Sequence, residues 1–211
     1  MRGFKKVQVV AALLALPSPA LAQFGGGHSG HSTQWSFGGR IAFDELDAFG
    51  GCFATRQTGD ALKLLGTEAG SNDEARVYKQ LFSKEQYCLG NLSGLAVPWR
   101  YVRGAVGEGF YDRRVPLVAG MALPRDLPPA KVQSVMDAAV CYAGKNPADA
   151  RRLIEATKPS TKEETAALDA LWPAFEACLP PNMPKGYEFD TLLVRYRIAE
   201  ALWRQGLVHS Q

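Results

Sequence analysis

The residues with the most to offer chemically are two arginine–glutamate pairs. Glu108 lies five residues after Arg103, and Glu200 lies five residues after Arg195. At about 100° per helical residue, Val102, Val106 and Phe110 share one apolar face, with Arg103 at its edge and Glu108 nearly opposite. Tyr101 and Tyr111 flank Glu108. In the second stretch, Val194, Ile198 and Leu202 form the face, and Glu200 lies opposite among Leu193, Tyr196 and Trp203. A carboxyl in such an aromatic surface has two uses. Burial raises its pKa, so that it serves as an acid or base or holds a ligand. Two of them meeting across a pseudo-twofold axis would make a paired-carboxylate hydrolase site, with Glu108 and Glu200 as acid and base and Arg103 and Arg195 as positioning groups. The other use is structural, because a buried charge must find a partner and the arginines are at hand. A matched Arg and Glu in both stretches is what a duplicated lock would leave, and the lock is the expected use. Arg103, Tyr111, Arg195 and Trp203 are the candidate binding residues. Trp35, Trp99, Trp172 and Trp203 would suit a groove, but tryptophan at helical spacing more often packs a core.

Other chemistries find few residues. His28 and His31 sit in a glycine-rich stretch and His209 near the end, so the folded body has no histidine for a Ser-His-Asp triad, a Cys-His pair or His-ligated zinc or haem. The histidine pair reads as polar tail, and no metal or cofactor is expected. GGGHSG lacks the Lys-Ser/Thr of a phosphate-binding loop. Asn91-Leu92-Ser93 fits a glycosylation sequon, a weak three-residue match.

Cys52, Cys88, Cys141 and Cys178 form an even set without a C-x-x-C pair. The gaps within Cys52–Cys88 and Cys141–Cys178 are nearly equal, which favours those two disulfides. Each would contribute roughly 3–4 kcal/mol by closing its loop.

The helices that must position these groups recur along the chain. CFATRQTGDALKLL from Cys52 aligns with CYAGKNPADARRLI from Cys141, and VRGAVGEGFY from Val102 with VRYRIAEALW from Val194. Between them, Thr67 meets Thr157, Ser71 meets Ser160 and Glu74 meets Glu163. The sequence thus predicts an all-α fold of two tandem pseudo-repeats of about four helices, each stapled by one disulfide from its first helix to the end of its third. The first copy reads as helices over about 43–55, 60–66, from Ser71 with an S-x-x-E capping box, and 99–113. The second reads as 129–144, a helix opened by Asn146-Pro147, one from Ser160 with a second capping box, and 189–204. Pro173 should kink or break the third of these. Residues 115–123 offer a possible short extended piece.

Residues 1–22 read as a secretory signal peptide: Arg2, Lys5 and Lys6, then a short apolar run, then Ala20-Leu21-Ala22. The remaining layout is a flexible Gly/Ser-rich tail over 23–42, helical repeats over 43–114 and 129–205, a connector over 115–128 and a C-terminal tail over 206–211. The chain of 211 residues is long enough for one ordinary core. Of its 24 Lys+Arg, three belong to the leader, leaving as many as the 21 Asp+Glu. The cleaved chain is formally neutral, and its charges are interspersed, so charge gives no case for nucleic acid. The expectation is an exported helical module, periplasmic or secreted, with no membrane span after cleavage. It would bind a protein or peptide without catalysis; the alternative is the carboxylate hydrolase.

Overall fold

The computed structural model describes residues 43–82, 88, 98–180 and 189–207. The expected leader and tail, Trp35, the three histidines and the Asn91 sequon lie outside the described residues. Among the described residues there are eight α-helices and no strand. The first half holds α1 (Phe43–Arg56), α2 (Thr58–Leu65), α3 (Asn72–Phe82) and α4 (Trp99–Asp112). The second holds α5 (Val135–Lys145), α6 (Pro147–Ala156), α7 (Lys162–Glu176) and α8 (Thr191–Arg204). Each half carries its own disulfide, Cys52–Cys88 and Cys141–Cys178, with Cα atoms 5.7 and 5.8 Å apart. Both bridges run from the first helix of a half to a point beyond its third.

α4 and α8 lie against one another in the centre. α1 covers α4, and α5 and α6 cover α8. Phe49, Phe53, Val106 and Phe110 from the first half and Tyr142, Phe175, Ile198 and Trp203 from the second belong to one continuous apolar core. Phe110 meets Trp203 edge to face, 4.8 Å between ring centroids, so the halves are joined by hydrophobic burial as well as by charge. α1 approaches α4 backbone to backbone: a Cβ on Gly109 would stand 2.4 Å from the Gly50 carbonyl oxygen.

Several local expectations shift. α5 starts at Val135, not at Pro129, because Ser134 accepts the Asp137 N–H and caps it there; a single 3-10 turn, Pro129–Lys131, precedes it. Asn146 precedes Pro147 at the start of α6, but its side chain makes no capping bond. Pro173 lies inside α7 without ending it. It falls in the last turn, where the helix stops at Glu176 in any case. The second capping box is Thr161–Glu164, not Ser160–Glu163: Thr161 Oγ accepts the Glu164 N–H at 3.1 Å. Ser160 instead takes a positive φ of 61°, matching Gly70 at 85° in the first half. A serine in that left-handed turn hides the correspondence, because glycine is the usual occupant.

The segment 115–128 holds no strand and is not a loose linker. Trp203 Nε1 donates to the Val115 carbonyl at 2.7 Å, and Arg204 Nε to the Met121 carbonyl at 2.9 Å. Leu123 N–H donates to the Arg204 carbonyl at 3.0 Å, and the Gln205 amide donates to both Pro124 and Val140. These bonds strap the segment to the end of α8. No helix among the described residues is long and apolar enough to cross a membrane.

Candidate functional site

Arg103 is wholly buried, and every bond it makes closes the turn from α2 to α3 or reaches the other half. Its Nη1 donates to the carbonyls of Leu64 and Thr67 and to Thr67 Oγ1, at 3.0 to 3.1 Å. Nη2 donates to the Leu65 carbonyl at 3.0 Å. The Leu64 and Leu65 carbonyls lie in the last turn of α2, where a cation is also favoured by the helix dipole. Across the joint, Nη2 and Nε form a two-pronged pair with Glu200 at 2.6 and 3.0 Å. Glu74, at the N-terminus of α3, accepts the Gly70 N–H at 2.6 Å and lies 3.5 Å from Arg103 Nη1.

Arg195 does the same for the second half. It donates to the carbonyls of Leu153, Ile154 and Thr157 and to Thr157 Oγ1, at 2.7 to 3.2 Å. Nη2 and Nε pair with Glu108 at 2.6 and 3.0 Å. Glu164 accepts the Ser160 N–H at 2.6 Å and lies 3.6 Å from Arg195 Nη1. Each arginine therefore holds the turn of its own half and the glutamate of the other. The fourth helices are antiparallel and doubly cross-bolted.

The surroundings of the two bolts differ. Glu200 receives two further guanidiniums, Arg197 at 3.0 Å and Arg204 at 3.3 Å. Burial pushes its carboxyl up, but Arg103, Arg197 and Arg204 together override that and hold it down at about 2. Among the described residues, Arg195 is the guanidinium bonded to Glu108. Burial raises its carboxyl to about 7; Arg195 pulls back, while Asp47 and Asp112 add to the rise. Glu74 and Glu164 are also raised, in both cases chiefly by burial. Tyr196 stands in the field of Asp47, Glu108, Arg195 and Glu164, and burial and then Asp47 and Glu108 push its phenol well up.

All four candidate binding residues are interior: Arg103, Tyr111 and Trp203 are 0 % exposed and Arg195 is 1 %. Tyr111 Oη donates to Glu155 at 2.5 Å. The structure brings Arg103 together with Glu200 and Arg195 with Glu108, both pairs buried. Three residues unnoticed in the sequence complete these clusters. Arg197, Arg204 and Asp47 belong to no motif in the sequence. The one available signal was the alignment itself, where Ala105 stands opposite Arg197 and Asp112 opposite Arg204. Among the described residues, no group of three acidic, histidine or cysteine side chains is arranged to hold a metal ion. Comparison with family models, curated proteins and solved structures found no match to this chain.

Proposed function

We propose that this chain is an exported, non-catalytic helical module, built from a duplicated four-helix unit, that offers its outer surface to a protein or peptide partner. One observation carries the reading: the two glutamates best suited to acid–base work are each spent on an arginine of the other half, inside the core. Glu108 is 5 % exposed and Glu200 is 0 %, and each is gripped by two nitrogens of the other half's arginine. A hydrolase would need both carboxyls in one open pocket, with one proton between them to transfer. The geometry favours a lock instead, in which the arginines fix two inter-helix turns and the joint at once. Two disulfides in a chain of this size agree with an oxidising compartment.

A rigid interior of this kind leaves the exterior to do the binding. Leu117 and Val118 are large apolar side chains presented to solvent on the strapped segment, 37 % and 43 % exposed. The test is photocrosslinking in the native compartment, with a light-activated residue at 117 or 118 and a control at Arg152. The expected result is a discrete adduct from 117 or 118, competed away by excess unlabelled protein and missing from the control. If neither these positions nor other exposed ones give a competable adduct, the binding reading fails. Recovery of the chain from an unfractionated cytoplasm, with its cysteines reduced, would overturn export.

A further inference from the structure

The two disulfides are alike in spacing and unlike in access. Cys141 and Cys178 are both 0 % exposed and belong to the central core. Cys52 and Cys88 are only partly buried, and Cys88 packs against that core from outside. The first helices differ in the same sense. One turn either side of Cys52, Ala48 and Thr55 are exposed on α1. One turn either side of Cys141, Asp137 and Gly144 on α5 are partly buried. The strapped segment lies against the end of α5: a Cβ on Gly144 would stand 1.6 Å from the Arg125 carbonyl oxygen. The third helices differ too. α7 buries Leu168, Leu171 and Phe175 besides Glu164, whereas α3 buries Leu81 besides Glu74. The near end of α3 is fixed by Glu74, which is wholly buried, accepts the Gly70 N–H and faces Arg103 at 3.5 Å. Its far end rests on Phe82, partly buried against Phe49 and Phe53, with the bridge just beyond.

We infer that Cys52–Cys88 is a thiol-exchange site: a dithiol opens it while Cys141–Cys178 stays closed, and opening it frees the far end of α3. A thiolate of the dithiol bonds to one sulfur of the bridge, the S–S bond breaks, and the other cysteine leaves as a thiolate that takes a proton from solvent. The second thiol of the dithiol, as thiolate, then attacks the mixed disulfide and releases the first cysteine, which is protonated in turn. The bridge gains two electrons, and the dithiol loses two as it closes to its own disulfide. Attack requires the thiolate to reach a bridge sulfur. An accessible bridge therefore reacts in the folded chain, whereas a wholly buried one waits for the helices around it to open. The Arg103–Glu200 and Arg195–Glu108 pairs involve no cysteine, so the α4–α8 joint outlasts the exchange. With the bridge open, α3 stays held at Glu74 and loosens at Phe82, baring the face of Phe49 and Phe53 that Phe82 covers. This site is separate from the partner surface at 117 and 118 and stands without it.

The test uses the oxidised full chain in the absence of denaturant. Dithiothreitol is added at pH 8, and the thiols released over time are alkylated and mapped by mass spectrometry. Cys52 and Cys88 should be labelled about ten-fold faster or more than Cys141 and Cys178. In denaturant the gap should close. Equal native rates, or earlier opening of Cys141–Cys178, overturn the site. A gap that persists in denaturant assigns the order to the flanking residues instead of access, and overturns it as well. Amide hydrogen exchange on the singly reduced chain reads the release. Residues 76–82 should lose protection, while α4, α7 and α8 keep theirs. Replacing both cysteines, Cys52→Ala with Cys88→Ala, should give the same pattern without reagent; should that variant fail to fold, the reduced wild type decides. A singly reduced chain in which α3 stays protected overturns the release. Loss of protection throughout the chain would make the bridge a staple of the whole fold, and overturns it too.

Discussion

The two ends of the α4–α8 joint share one bonding pattern and differ in charge. At each, a buried arginine closes a helix–helix turn in its own half and grips a glutamate from the other with two nitrogens. Three aligned positions then separate them: Asp47 against Met136, Ala105 against Arg197, and Asp112 against Arg204. Every one of these differences moves charge in the same direction. The Glu200 end gains arginine, and the Glu108 end gains aspartate. Identical geometry thus yields one carboxyl held at about 2 and one raised to about 7. What a bolt does is set by its neighbours, not by the pair itself.

Replacing each glutamate by glutamine should expose that difference most strongly. Glu200→Gln leaves Arg103, Arg197 and Arg204 with Glu74 as their nearby anion, and an arginine cannot shed its proton. Breaking a buried pair in this way costs about 3–5 kcal/mol. Thermal melting at pH 7 should show a fall of ten degrees or so, since about 1 kcal/mol moves the midpoint by roughly 2–4 °C at this size. Glu108→Gln leaves Arg195 with Glu164 and Asp47, and should cost about 1 kcal/mol or less. Equal losses in the two variants would show that the neighbouring charges do not matter.

The second contrast is steric. Gly104 aligns with Tyr196, and a Cβ on Gly104 would stand 2.4 Å from the Tyr196 ring. The large residue of one half fills the gap left by the small residue of the other. Gly104→Ala should therefore overpack the joint and cost about 1–3 kcal/mol, read by denaturant unfolding. Tyr196→Ala in the same chain should recover part of it. Additive losses would mean that the two positions do not meet.

Much of this was legible in the sequence. The cysteine gaps announce both disulfides, and the register of Val102 on Val194 brings out the matched Arg and Glu, with the lock as their expected use. Thr67 and Thr157 align, yet their role as acceptors for the buried arginines needs the folded turn. The second capping box slips by one residue because Ser160 occupies a backbone conformation usually left to glycine. Arg197 and Asp47 are illegible for a different reason. A charge on an amphipathic helix is presumed solvated, and only the antiparallel packing of α4 on α8 brings Arg197 onto Glu200.

Stability against pH separates the bolts with opposite signs. Glu108 has a folded-state pKa raised above its ordinary value of 4.5, so its contribution is full below about 4.5 and is lost as pH rises through about 7. Glu74 and Glu164, raised as well, act in the same direction. Glu200 is lowered to about 2, so its contribution is full above about 4.5 and is lost as pH falls towards 2. Melting temperature should climb on acidification from pH 8 to about pH 5 and collapse below about pH 4. In Glu108→Gln the climb should flatten while the acid collapse remains. A wild-type profile that falls steadily from pH 8 to pH 5 would reverse the assignment of the two ends.

The smallest effect belongs to the hydroxyl of Tyr196. It is buried, and among the described residues it has no hydrogen-bond partner. An unpaired buried hydroxyl costs free energy that its ring does not, so Tyr196→Phe removes a penalty and keeps the shape. The variant should match or exceed the wild type by up to about 1 kcal/mol in denaturant unfolding. Gly104 stands at the aligned position of the other half, so no counterpart hydroxyl exists there. A loss above about 1 kcal/mol would mean that the phenol is bonded within the Glu108 end. The Glu108 end would then have a further donor from α8, and the contrast between the two ends would narrow.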